Sequence, residues 1–235
     1  MEERETSLPP RPHVSLKRLL ALSFLLALLW LVWALVRPRL SLSPEASELW
    51  STGARLLLWV VPAGVYLMVS YGRRWSEPLG FGFPYGRPQV ARAITLPLLL
   101  GGFLVVGTAA NLGKTPALVL GELYSGLSPR LTAPVLEELV FRGVITSEAL
   151  TWARETAPNF RSLIARFWAA LFLTSGLFTL LHGPSLLASY GTEALLSPSL
   201  SLLVTGVVLG FLFAQTRSIY GCIFLHFLNN ELSLL

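Results

Sequence analysis

Apolar stretches of membrane-crossing length follow one another along almost the whole chain, and that feature leaves few folds open. Crossing the hydrocarbon takes about 20 residues of helix. Stretches near 16–36, 53–71, 92–112, 131–153, 163–182, 197–216 and 218–235 approach that length. Backbone surrounded by lipid must satisfy its own hydrogen bonds, so these segments read as helices. The expected fold is therefore all-α, a polytopic transmembrane bundle of about seven or eight helices. The 235 residues are 53% hydrophobic and only 13% charged, whereas a soluble domain carries about a quarter charged residues. No long polar linker separates the spans, so one integral membrane domain over residues 1–235 is expected.

The shorter features fit that frame. Residues 116–128 are too short to span and read as an interfacial or re-entrant helix, which leaves the crossing number open between seven and eight. The Gly-, Pro- and Arg-containing residues 72–91 read as a loop. Gly183-Pro184 should stop the helix that ends at His182. The first apolar stretch is longer than a signal-peptide core, and no small-residue cleavage site follows it, so it reads as a retained span. A net charge of +5 could suggest nucleic acid. The Lys and Arg residues lie mainly in short loops, however, and most fall on the side holding the N-terminus, which places that side in the cytoplasm. No nucleic-acid partner is expected. The partners are the bilayer and a membrane-anchored protein or peptide, and the location is the cell membrane. The lone cysteine, Cys222, excludes an intramolecular disulfide.

Against this apolar background three polar patterns stand out: EELVFR from Glu137 to Arg142, FTLLH ending at His182, and HFLNN from His226 to Asn230. Ionisable groups are costly in hydrocarbon and persist where they face a protected interior and act chemically. If the last four spans alternate, the start of the fourth and the ends of the fifth and seventh share one side of the membrane. Glu138 and Arg142 are i and i+4 and can pair. Glu137 points about 100° away, which leaves it free for a cavity. His226 and Asn230, again i and i+4, project into one pocket. A carboxylate in a dry pocket can act as general base toward water. His182 can hold that water, and Asn230 and His226 can donate to an oxyanion.

These residues resemble the signatures EExxxR, FxxxH and HxxxN of the CAAX-protease and bacteriocin-processing (CPBP, or Abi) intramembrane proteases, including their CAAX prenyl protease 2-like members. The resemblance covers about residues 129–235, the expected catalytic core. It implies an all-helical membrane endopeptidase that cuts a membrane-associated or lipidated protein. Glu137 and His182 would be catalytic, His226 and Asn230 would complete the site, and Glu138 and Arg142 would support it. The family is described both as metal-free glutamate proteases and as metalloproteases.

Two cofactor readings therefore stay open: none, or a divalent metal such as zinc held by Glu137, His182 and His226 with a position left for water. No HExxH helix is present. A non-catalytic membrane interaction or immunity protein of the same fold is the alternative function. A proton-coupled carrier is a third, although no repeat symmetry supports it. Glu138 with Arg142 could be a structural ion pair alone, and Asn229 and Asn230 could simply bond between helices. Cys222, four residues before His226, and Ser175 read as packing residues rather than nucleophiles. Gly206 and Gly210 form a GxxxG that suits close helix packing. His13 reads as a solvated leader residue.

Overall fold

The computed structural model describes residues 14–40, 43–81, 87–124 and 131–233, and His13 lies outside them. All regular structure among these residues is helical. In chain order the α-helices are α1 (Leu16–Val36), α2 (Pro44–Arg55), α3 (Val61–Tyr71), α4 (Arg87–Leu112), α5 (Pro116–Tyr124), α6 (Thr132–Glu138), α7 (Ser147–Thr156), α8 (Phe160–Tyr190), α9 (Leu196–Thr216) and α10 (Ile219–Leu232). Wider π-helical turns over Leu56–Val60 and Leu139–Thr146 join α2 to α3 and α6 to α7. The result is eight helical rods among the described residues, an all-α bundle.

Five rods are long and apolar enough to cross a membrane: Leu16–Val36, Leu49–Arg74, Val90–Leu112, Phe160–Tyr190 and Leu196–Thr216. The α6–α7 rod spans a similar length but carries Glu137, Glu138, Arg142 and Glu148, which lower its hydropathy. The α10 helix is apolar but only 14 residues long. Phe24, Val69, Phe103 and Leu173 lie exposed on the outside of the bundle, at 70–79%. Rods that are apolar outside as well as inside suit hydrocarbon rather than water.

Contacts between rods settle their directions. Arg55 meets Glu137, and Tyr66 meets Glu148, so α2–α3 and α6–α7 run parallel and in register. Cβ atoms placed on Gly221 and Gly101 would meet Pro97 and Phe224 respectively, so α4 and α10 also run parallel. Alternating crossings give both relations only if α5 adds none. Its nine residues would reach about 13 Å at the α-helical rise, well short of the hydrocarbon.

Three expectations are corrected. Gly183-Pro184 does not end α8, which continues to Tyr190 and stops at Gly191 with φ +68°. Pro184 costs only the backbone bond to residue 180, a loss transmembrane helices tolerate when neighbours support the freed carbonyl. The second rod begins at Pro44, where the Ser43 hydroxyl accepts from the Ala46 amide as an N-cap. Helix α4 begins at Arg87, inside the stretch read as a loop.

The core lies where α8, α9 and the α6–α7 rod meet, around Leu171, Phe178, Leu209, Phe213, Phe141 and Ile145. A Cβ on Gly206 would lie 2.9 Å from the Ser175 Cβ. The GxxxG of α9 therefore brings α9 against α8, and buried Ser175 is part of that packing.

Candidate active site

Six side chains carried by three helices make up the expected site, and the fold brings five of them together. Glu137 and Glu138 end α6, where the helix widens into the π turn; such turns re-aim side chains and often occur at functional positions. Glu138 is completely buried. Its Oε1 accepts from Arg142 Nη1 at 2.9 Å and from His226 Nδ1 at 2.7 Å. Arg142 also donates from Nη2 to the Gly206 carbonyl at 3.3 Å. The guanidinium lies over the Phe178 ring, 4.9 Å from its centroid. A buried charge without a partner is strongly destabilising, and here the two buried charges compensate each other.

Glu137 is also buried, but its two oxygens face different groups. Oε2 lies 3.5 Å from His182 Nε2 and 3.7 Å from His226 Nε2. The opposite nitrogen of each imidazole is already committed. His182 Nδ1 donates to the Phe178 carbonyl at 2.9 Å, and His226 Nδ1 donates to Glu138. A carbonyl or carboxylate can only accept, so these bonds assign the proton to Nδ1 in both rings. In a neutral ring bonded in this way, Nε2 turns a bare lone pair toward Glu137 Oε2. Three acceptors facing one small region favour a donor between them, such as water or a proton held on one ring.

Phe178 fixes this geometry. Its ring lies 4.4 Å from His182 and 5.7 Å, edge-on, from His226. Phe141 packs edge-on against it at 5.0 Å. A run of aromatic contacts then continues through Trp59 to Trp30 on α1. The indole nitrogen of Trp30 donates to the Leu181 carbonyl at 2.8 Å, one residue before His182.

Glu137 is not left free, as its helix phase suggested: Arg55 Nε donates to its Oε1 at 2.9 Å. Sequence reasoning missed Arg55 because a lone cation at the start of an apolar stretch reads as a topology signal. Nothing near it in the chain marks it as a site residue. Asn230 lies one turn beyond His226 and is half-buried. Among the described residues no hydrogen bond joins its side chain to the others. The Cys222 thiol donates to the Leu209 carbonyl at 3.4 Å and does not pair with His226.

The donor types Glu137, His182 and His226, with their tied Nδ1 atoms, resemble metal ligands supported by an outer shell. Among the described residues no group of three or more His, Cys, Asp or Glu side chains is set to hold a metal ion. In addition, the Arg55 cation is bonded to the carboxylate that would have to serve as a ligand.

Residues 120–232 match the family described as Type II CAAX prenyl endopeptidase Rce1-like. A comparison with curated proteins and one with solved structures gave no match. The matched segment runs from α5 through α10 and contains Glu137, Glu138, Arg142, His182, His226 and Asn230, whereas Trp30, Arg55 and Trp59 lie outside it. With five rods of membrane-crossing length beside that match, the chain is a multi-pass integral membrane protein whose residues 120–232 are similar to the Rce1-like type II CAAX prenyl endopeptidase family.

Proposed function

We propose that the chain hydrolyses a peptide bond of a membrane-associated or lipidated protein by means of water activated by Glu137. The observation that carries this reading is the convergence of Glu137 Oε2 with the Nε2 atoms of His182 and His226. A water donating to those acceptors would have its oxygen held near the carboxylate and ready to attack. Glu137 takes one proton as that oxygen adds to the carbonyl carbon. The tetrahedral oxyanion then receives hydrogen bonds from the Asn230 amide, and from His226 Nε2 in the ring that has taken a proton from bulk water beforehand and keeps it through the cycle. As the C–N bond breaks, the proton on Glu137 passes to the leaving amine. Glu138 and Arg142 do not react; they fix the rotation of α6 and the orientation of His226.

No metal enters this sequence. Activity should persist after exhaustive dialysis of purified enzyme against a chelator. Loss of activity that added zinc restores would replace the metal-free reading with one in which Glu137, His182 and His226 are ligands. The function itself is tested by comparing protein termini in membranes of cells carrying wild-type protein or Glu137→Gln. New termini seen only with wild type are expected, and they would give the cleavage sequence. Identical termini at equal protein abundance would overturn the protease reading in favour of a non-catalytic interaction protein.

A further inference from the structure

Arg55 stands outside the matched segment yet touches the carboxylate on which the proposed reaction depends. It ends α2, where the π turn over Leu56–Val60 begins. Its guanidinium lies 5.6 Å from the Trp30 ring centroid, and its Nε donates to Glu137 Oε1 at 2.9 Å. The side chain is 20% exposed against 4% for Glu137, so Arg55 lies on the outer side of the carboxylate and the histidines on its inner side. A carboxylate held by one oxygen has its other oxygen aimed by the same bond. Here that other oxygen is the one facing His182 and His226.

We propose that Arg55 is a positioning residue for Glu137, supplied by the amino-terminal helices to a site otherwise built from α6, α8 and α10. The proposal rests on Glu137 being the general base. Arg55 clamps Oε1 so that Oε2 points between the two imidazoles, and Trp30 supports both sides of this arrangement. Its ring underlies Arg55, and its indole nitrogen bonds the α8 backbone beside His182. The residues 120–232 then lack one part of their own site.

The contact to Glu137 is a single hydrogen bond through Nε rather than a bidentate fork. A lysine ammonium can replace one such bond but not a fork. This separates positioning from packing. Purified full-length wild type, Arg55→Met, Arg55→Lys and Glu137→Gln are compared for kcat, KM and melting temperature on a peptide substrate identified from the terminus comparison. Misplacing a catalytic group by about 1 Å costs about 100-fold in rate. Arg55→Met should therefore lower kcat about 100-fold while KM stays within about twofold, and Arg55→Lys should return kcat to within about tenfold of wild type.

Wild-type kcat in Arg55→Met, or a loss carried by KM alone, would overturn the proposal. If Arg55→Met does not fold, Arg55→Lys decides alone: a folded variant with kcat about 100-fold down overturns it, and one within about tenfold supports it. Turnover by Glu137→Gln would instead remove the general-base reading itself. An inactive Glu137→Gln beside a fully active Arg55→Met would remove only the role of Arg55.

Discussion

Two buried carboxylates lie on the same rod, eleven residues apart, and the fold treats them differently. Glu137 and Glu148 both face the α2–α3 rod, which meets them with Arg55 and Tyr66 in the same register. At Glu148 both oxygens are taken by hydroxyl donors: Tyr66 donates to Oε2 at 2.6 Å, and Tyr71 donates to Oε1. The neighbouring cavity, about 10 Å³ and lined in part by Arg18 and Ser70, has room for about one water. At Glu137 only Oε1 is held by a donor at hydrogen-bonding distance, and Oε2 faces two imidazole nitrogens at 3.5 and 3.7 Å. A carboxylate whose lone pairs are satisfied by immobile donors is a structural pin. One with an oxygen directed at other acceptors is arranged to receive a proton. Burial alone does not distinguish them; the partners do.

The sharpest way to break this contrast is to neutralise each carboxylate in turn. Glu137→Gln should reduce cleavage by about 10²–10⁴-fold, the usual contribution of a general base, with an unchanged melting temperature. Glu148→Gln should lower the melting temperature and leave kcat near wild type. The reverse pattern in the same assay and melting experiment would place the chemistry at the wrong end of the rod.

A second test concerns Arg142, which compensates Glu138. Arg142→Met leaves a buried charge unpaired and should destabilise the protein by about 3–5 kcal/mol. The double variant Glu138→Leu, Arg142→Leu should recover part of that loss, as read from thermal unfolding in detergent. No recovery would mean that Arg142 acts chiefly through its packing on Phe178 and its bond to the Gly206 carbonyl.

The smallest expected effects lie at the pin. Tyr66→Phe and Tyr71→Phe each remove a hydrogen bond to a charged group and should cost about 1.5–3 kcal/mol, with kcat unchanged. A tyrosine variant that keeps its melting temperature but loses turnover would show that the Glu148 cluster is coupled to the reaction after all.

Much of the fold could be read in the sequence because membrane helices announce themselves by length and apolarity. The expected spans and the observed rods agree apart from their ends, where caps and tolerated prolines decide. Pro184 shows the limit: in water a proline inside a helix usually ends it, but between helices in lipid the chain has no better alternative than to continue. The i, i+4 spacing that suggested the Glu138–Arg142 pair also lies within one helix, and such pairs depend on local geometry that spacing encodes. Asn230 shows that spacing places a residue on a face without supplying it a partner.

Sequence by itself determined that the chain is a helical membrane protein and which polar side chains would have to share its interior. The reason is energetic: lipid leaves the backbone no other regular structure here, and it penalises every ionisable group that lacks a protected place. Tertiary structure alone decided which carboxylate is saturated and which is directed at the histidines. It also decided that α5 adds no crossing and that Arg55 joins the site across 82 residues of chain. Those outcomes depend on how parallel rods register against one another. That register follows from packing and π turns distributed over the whole bundle, and no short stretch of sequence carries it.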